Sequence, residues 1–127
     1  LAIRPGQYMI PFGTPGGDVQ IQAMVQCLLN VISWGMDPQQ AVESPRFASY
    51  SFPDSFEPHN TFPGRLVLES RISIETREKL ESLGHDVEAW PDWTPKAGAV
   101  CMIQIDQIHN YHRSGADPRR PAYALGW

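Results

Sequence analysis

The sequence has few of the features that mark nucleic-acid-binding or membrane proteins. Its 127 residues carry ten Lys and Arg against fourteen Asp and Glu, and Arg119-Arg120 is the only adjacent basic pair. This scattered positive charge forms no basic patch of the kind that nucleic acid needs, and the acidic balance argues against a membrane-surface role. No apolar run is long enough to cross a bilayer. We therefore expect neither nucleic acid nor membrane as a partner.

Cysteine and metal ligands are equally scarce. Cys27 and Cys101 are predicted to be buried free thiols, because unpaired Cys is usually buried, and a disulfide would need their Cα atoms within about 7 Å. His109 and His112 form a His-x-x-His pair, which lies on one face only in a helix. Their surroundings predict a strand, and no acidic or cysteine cluster completes a ligand set. We expect no metal and no other cofactor, and the cellular compartment stays open.

Hydrophobic residues make up 42% of the chain, enough for one domain over residues 1–127. Apolar residues spaced i, i+3, i+4, i+7 predict a helix over residues 18–34, with Asp18 as N-cap and Gly35 as terminator. Asp37-Pro38 begins a second helix that ends before Ser44-Pro45. The other predicted elements are strands at 7–12, 65–69, 85–90, 97–106, 108–113 and 122–127, a helix at 73–83, an extended segment at 46–50, and loops at 51–64, 91–96 and 115–121. This order predicts an α/β or α+β layered fold with helices grouped on a sheet, and of the two we expect α+β with a mostly antiparallel sheet.

One segment has the composition of a reactive site. Gly13-Thr14-Pro15-Gly16-Gly17 joins a predicted strand to a predicted helix, and paired glycines let a reacting atom approach the backbone N–H groups closely. The start of the helix adds unpaired donors and the positive end of its dipole. Such a turn suits a phosphate cradle, an oxyanion hole for acyl transfer, or a tight turn and nothing more. The phosphate alternative is weak, because no lysine follows the glycines and Asp18 would repel the ligand.

Four segments, in order, resemble the gamma-glutamyltranspeptidase family from about Tyr8 to Trp127. The glycine turn precedes a Gln-rich helix that contains Asn30, as in that family. The segments that follow are Ala41-Val-Glu-Ser-Pro-Arg-Phe47, Leu80-x-x-x-Gly84-His85-x-Val87 and Gly115-Ala-Asp-Pro-Arg119. The resemblance implies a four-layer αββα N-terminal-nucleophile hydrolase that cleaves itself into two subunits, with this chain as the C-terminal part of the small subunit.

The resemblance also implies a division of catalytic roles. The nucleophile is the N-terminal threonine of the small subunit, its α-amino group is the base, and a γ-glutamyl group passes through it to water or an amino acid. By this match Gly16 and Gly17 are the catalytic residues of this chain and form the oxyanion hole. The threonine would lie before Leu1, which opens the sequence without a start methionine. We therefore expect an inactive fragment whose partners are the upstream segment, the large subunit and a small γ-glutamyl or related amide substrate.

Other polar residues have plainer interpretations. Asp117, Arg119 and Arg120 are expected to form a structural ion pair that fixes the last loop, although they would also suit an anionic substrate, and Arg46 is interpreted in the same way. Asp92 and Asp106 have no partner in the sequence that would make them an acid and base. A non-catalytic structural or dimerisation domain descended from the family is the second hypothesis, and a homo-oligomer stays open. Core or interface anchors are expected at Trp34, Trp90, Trp93 and Trp127.

Overall fold

The structure is a computed structural model that describes residues 1–126. Its main helix has apolar residues that recur every three to four positions. In chain order the elements are β1 (Ala2–Arg4), β2 (Tyr8–Ile10), β3 (Phe12–Gly13), α1 (Val19–Ile32), α2 (Pro38–Glu43), β4 (Phe47–Ser49), β5 (Arg65–Glu69), α3 (Ile74–Ser82), β6 (Asp86–Trp90), β7 (Cys101–Asp106) and β8 (Tyr111–Ala116).

The first two helices begin where the sequence signals predict, although α1 ends at Ile32, two residues before its predicted end. One face of α1 is buried through Val19, Ala23, Cys27 and Val31, and Gly35 ends the helix with φ +68°. Asp37 caps α2 in a capping box: its side chain accepts from the Gln40 N–H, and the Gln40 side chain accepts from the Asp37 N–H. These local contacts fix both helices beside the glycine turn. No helix among residues 1–126 is long and apolar enough to cross a membrane.

The larger sheet is built around β7. On one side β7 pairs antiparallel with both β2 and β3. These two short strands lie one after the other along the same edge of β7, and Pro11 separates them. Pro11 has no N–H to donate, but its carbonyl accepts from Ile103 at 3.0 Å. On the other side β7 pairs antiparallel with β8, and β1 completes the sheet beside β2. This arrangement brings the end of β3, where the glycine turn begins, against the start of β7.

The smaller sheet has the order β4-β5-β6. β4 and β5 are antiparallel, whereas β5 and β6 are parallel because α3 crosses between them. The predicted α+β class with mostly antiparallel pairing is confirmed. The core joins both sheets to α1 and α2, and its members include Ile10, Ala23, Cys27, Val42, Val67, Trp90, Val100 and Met102.

Several predicted boundaries are wrong, for local reasons. The strand expected from residue 97 begins at Cys101, because Pro95–Ala97 form a 3-10 turn and Gly98 has φ +82°. Its hairpin partner is displaced to Tyr111–Ala116, after a turn in which Asn110 has φ 54°. Residues 122–126 form no strand because they pair with no other strand of the described chain, and Trp127 lies outside the described residues. Ala2–Arg4 forms a strand that the sequence analysis did not predict.

The two cysteines differ from each other. Cys27 is fully buried and free, as predicted, and burial raises the pKa of its thiol, an effect that the nearby Arg46 charge partly opposes. The prediction that Cys101 is buried is wrong. Alternation along β7 turns Met102 into the core and leaves Cys101 and Ile103 exposed on the opposite face.

Gly115 lies where β8 crosses the first turn of α2. A Cβ at this position would lie 2.4 Å from the carbonyl oxygen of Pro38. The side-chain amide of Gln39 also exchanges two hydrogen bonds with the backbone of Ala116, at 2.9 and 3.0 Å. We expect Gly115→Ala to lower the free energy of unfolding by about 1–3 kcal/mol, because α2 must move to admit the methyl group. Urea denaturation measures the loss.

Gly13→Ala is the matched control for this substitution. Gly13 is also a strand glycine, and a Cβ there meets nothing within 4 Å. The control should leave the denaturation midpoint near that of the unchanged protein. Equal losses in the two variants would contradict the packing explanation.

Candidate active site

The glycine turn lies between β3 and α1 and has a backbone that only glycine adopts easily. Gly16 has φ +138° and Gly17 has φ +56°. Their carbonyls accept from Val19 at 3.2 Å and from Gln20 at 3.1 Å, which starts the helix. Within residues 1–126 the N–H groups of Gly16 and Gly17 donate to no protein acceptor. Two adjacent donors therefore stand free at the positive end of a 14-residue helix.

Thr14 fixes this turn against the start of β7. Its hydroxyl donates to the Pro15 carbonyl at 2.8 Å and accepts from the Ala99 N–H at 2.7 Å. Gly98 packs directly beneath: a Cβ there would lie 3.0 Å from Thr14 Oγ1, and a Cβ on Gly16 would lie 3.6 Å from Gly98 Cα. Gly98 and Ala99, which are far away in sequence, thus hold in place the backbone around the free N–H groups of Gly16 and Gly17. Sequence reasoning missed this contact, since residues 97–99 were predicted to be strand.

An open cleft of about 420 Å³ borders the turn, within the range of about 300–1,000 Å³ that is usual for small-molecule sites. One wall is Gly16, Gly17 and the start of α1, and the opposite wall is a loop over residues 50–64, here called the aromatic loop. Lys96 and Arg65 also line the cleft. The aromatic side chains that line the cleft are Tyr50, Phe52, Phe56 and Phe62.

Asp18 joins the aromatic loop to the helix start. Its carboxylate accepts from the Ser55 N–H at 2.8 Å and from the Ser55 hydroxyl at 2.5 Å. Asp18 is the N-cap residue of α1 as predicted, but its side chain makes no capping hydrogen bond, because Ser55 of the aromatic loop occupies the carboxylate. These hydrogen bonds, the hydroxyl one first, lower the pKa of Asp18. The aromatic loop is therefore anchored at Asp18, the residue that follows the free N–H donor Gly17.

Four residues that are distant in sequence form a buried network of ion pairs near the site. Arg119 donates to both oxygens of Glu69, at 2.6 and 2.5 Å, and to Asp117 at 3.1 Å. Arg46 donates to Asp117 and to the Ala97 carbonyl, the latter at 2.9 Å. Burial lowers the pKa of Arg119, but the hydrogen bonds and charges of Glu69 and Asp117 outweigh it and leave a net rise.

The structural interpretation of Asp117, Arg119 and Arg46 is confirmed, since all three are at most 4% exposed. Arg120 is exposed and stands outside the network. Through the bond from Arg46 to Ala97, the network holds the 3-10 turn on which the glycine turn rests. The sequence analysis did not single out Glu69, because a glutamate at the end of a strand with alternating polar and apolar residues is usually exposed to solvent.

The remaining candidates do not converge on the cleft. His109 Nδ1 lies 3.0 Å from Asp106, and the hydrogen bonds with His109 lower the pKa of Asp106 to about 2. Asp92 accepts from the Ser70 hydroxyl. Residues 1–126 contain no group of three His, Cys, Asp or Glu placed to hold a metal ion. Trp90 is buried, whereas Trp34 and Trp93 are 66% and 44% exposed.

The chain is similar in sequence and in fold to proteins that are already known. "Glutathione hydrolase-like YwrD proenzyme" of Bacillus subtilis (strain 168) is 31% identical over 127 residues, which is 99% of this chain and 23% of that protein. The solved structure of LmbA2991HD is 33% identical, with a TM-score of 0.79 over 87% of this chain and 20% of its own. The transpeptidase CapD of Bacillus anthracis is 20% identical, with a TM-score of 0.75 over 98% of this chain and 66% of its own.

The fold of this chain is therefore the α+β fold found in solved transpeptidases. A sequence model described as Gamma-glutamyltranspeptidase matches residues 1–127. This chain belongs to the gamma-glutamyltranspeptidase family. It spans less than a quarter of its curated Bacillus subtilis relative, 23% of that protein's length.

Proposed function

We propose that residues 1–127 are the C-terminal part of the small subunit of a gamma-glutamyltransferase or glutathione hydrolase-like enzyme. In this proposal Gly16 and Gly17 form its oxyanion hole. The observation that supports it is the pair of free N–H groups at a helix start, beside a cleft of substrate size. Donors placed in this way stabilise the negative charge that develops on a carbonyl oxygen during acyl transfer.

The nucleophile in this proposal belongs to another segment of the enzyme. The N-terminal threonine of the small subunit, upstream of Leu1, attacks the γ-carbonyl, and its α-amino group takes the proton. The acyl group then passes to water or to an amine. Thr14 is unsuited to this role, because its hydroxyl is held by Pro15 and Ala99. The chain alone is therefore inactive and needs the upstream segment and the large subunit.

One observation favours the alternative of a structural or dimerisation domain. The outer face of α1 exposes a row of apolar side chains at helical spacing, with exposures from 37% to 71%, which is typical of a packing surface. That face also suits packing against the rest of the enzyme. It consists of Ile21, Val25, Leu29 and Ile32.

An electrophilic diazoketone analogue of glutamine separates these proposals. The complete enzyme is incubated with the analogue, digested and analysed by mass spectrometry. The enzyme proposal expects one covalent adduct, on a threonine outside these 127 residues, and none on the isolated chain. An adduct on Thr14 would contradict the assignment of the nucleophile. No adduct at all, together with a defined dimer of the isolated chain in sedimentation, would favour the structural domain.

A further inference from the structure

One face of α1 carries three polar side chains spaced by four residues, Asp18, Gln22 and Gln26, here called the polar row. Residues four apart in a helix are neighbours, about 6 Å apart along its axis. Each side chain of the polar row makes two hydrogen bonds to a single residue of the segment 47–55, which runs from β4 into the aromatic loop. The polar row therefore joins the helix that begins at the glycine turn to the segment that leads into the opposite wall of the cleft.

The two glutamines pair with β4 as a neighbouring strand would. Gln22 accepts from the Ser49 N–H at 2.8 Å and donates to the Ser49 carbonyl at 3.0 Å. Gln26 makes the same two bonds with Phe47, at 3.1 and 2.9 Å. Residues two apart in a strand present their backbone groups on the same edge, about 6.6 Å apart, which is close to the spacing of the two glutamines. Because the other edge of β4 pairs with β5, both edges of this strand are bonded.

These hydrogen bonds fix the position of α1 more sharply than its apolar contacts do. The buried side of the helix presents small side chains, Ala23 and Cys27, between Val19 and Val31. Contacts between apolar side chains have no preferred direction, so they permit small shifts along the helix axis. A hydrogen bond, in contrast, weakens steeply when its angle falls. Two amides that each bond both backbone groups of one strand residue therefore fix the axial position and the rotation of α1 against β4.

The position of α1 decides where the free donors of the glycine turn lie. Gly17 is continuous with the helix, since its carbonyl accepts from the Gln20 N–H at 3.1 Å in the first turn. The other end of the glycine turn is held separately, by the bond from the Ala99 N–H to Thr14. A shift of α1 against β4 would therefore move the N–H of Gly17 while Thr14 stayed in place.

We propose that Gln22 and Gln26 are positioning residues for acyl transfer, which hold the N–H groups of Gly16 and Gly17 in the geometry that stabilises the oxyanion. This inference rests on the proposed function. Among residues 1–126 the cleft lining includes neither glutamine, so both act through the position of α1 and not on the substrate. Oxyanion-hole donors act on charge that develops in the transition state. A small displacement of these donors should therefore slow the reaction without weakening the binding of substrate.

The test replaces each glutamine with leucine in the complete enzyme, because leucine favours the helix but forms no hydrogen bond. Gln22→Leu is expected to lower kcat for transfer about tenfold and to leave KM nearly unchanged, since a misplacement of about 1 Å can cost about 10²-fold. The affinity for a boronate analogue of the γ-glutamyl group, which resembles the tetrahedral transition state, should fall by the same factor. Loss of folded enzyme would lower the apparent kcat but would not weaken boronate binding at the remaining sites. A lower kcat with unchanged boronate affinity, or no change in either, would overturn the proposal.

Gln39→Leu is the matched control. Gln39 is half-buried, as Gln22 and Gln26 are, and makes the same two bonds with Ala116 of β8. It lies on α2 and does not join α1 to β4. Its variant should lose a similar amount of stability in urea denaturation but keep kcat and the boronate affinity. An equal loss of boronate affinity in this control would contradict a specific role for the polar row.

Gln26→Leu repeats the test if Gln22→Leu fails to fold. Its expected loss of kcat and of boronate affinity has the same direction but is smaller. The reason is that Gln22 and Asp18 would still hold the start of the helix. A value equal to that of Gln39→Leu would overturn the proposal here as well.

Failure of this inference is distinguishable from failure of the proposed function. If Gly17→Val lowers kcat and boronate affinity while both glutamine variants behave like Gln39→Leu, the oxyanion hole stands and the positioning role is wrong. If Gly17→Val transfers at the unchanged rate, the proposed function is wrong and the positioning role falls with it. Parallel losses of kcat and boronate affinity in Gly17→Val and Gln22→Leu, without such losses in Gln39→Leu, support both.

Discussion

Replacing Asp117 with Asn is expected to lower the free energy of unfolding by about 3–5 kcal/mol, the usual cost of breaking a buried ion pair from one side. Asp117 is 1% exposed and accepts from Arg46, Arg119 and the Val100 N–H. An Asn side chain has nearly the same shape but presents an NH₂ group to these donors. Arg46 would keep its charge in the interior without a carboxylate. Urea denaturation followed by circular dichroism measures the loss.

Glu88→Gln is the control for this prediction. It makes the same carboxylate-to-amide change in the pair between Arg65 and Glu88, whose side chains are 32% and 45% exposed. Water and salt screen exposed pairs, so the control should lose far less stability than Asp117→Asn. Similar losses in the two variants would contradict the view that the buried network holds the last loop against β5.

Replacing Gly17 with Val is expected to reduce acyl transfer by about 10²–10³-fold in the complete enzyme, the usual effect of losing one oxyanion-hole donor. Gly17 has φ +56°, a conformation that a β-branched residue adopts only with strain. Rotation of the peptide to relieve that strain would change the direction of its N–H, which the proposed oxyanion hole needs. A chromogenic γ-glutamyl anilide assay measures the rate, and kcat should fall more than KM changes.

Gly6→Val separates catalysis from stability. Gly6 has φ +72°, and a Cβ there meets nothing within 4 Å; at Gly17 it meets only Phe56, at 3.8 Å. Both variants should lose about 1–2 kcal/mol of stability through backbone strain. Only the Gly17 variant should lose transfer. A similar rate loss in both variants would mean that strain, and not the position of the donor, decides activity.

The helices near the site could be predicted from sequence because local contacts specify them. The 3.6-residue period of α1 and the Asp37-Pro38 start of α2 depend on neighbours within four residues. The glycine turn was found in the same way, from two glycines between a strand and a helix. Its role as an oxyanion hole came from family resemblance and stays a proposal.

The surroundings of the turn could not be predicted, because they depend on distant residues. Asp18 has the pattern of a helix cap, yet its carboxylate is occupied by Ser55, 37 positions away. Thr14 bonds to Ala99 across 85 positions, and Arg119 bonds to Glu69 across 50. The error at the start of β7 has the same origin, since Arg46 holds the Ala97 carbonyl in a turn that alternation alone does not reveal.

The most direct test of the central claim is the position of the oxyanion in the complete enzyme. A crystal structure with a boronate analogue of the γ-glutamyl group, bound to the catalytic threonine, would show the tetrahedral oxygen that stands in for the oxyanion. Our account predicts that this oxygen lies about 2.7–3.1 Å from the backbone nitrogens of Gly16 and Gly17. An oxygen bound by other donors, with both glycine nitrogens beyond hydrogen-bonding distance, would contradict it.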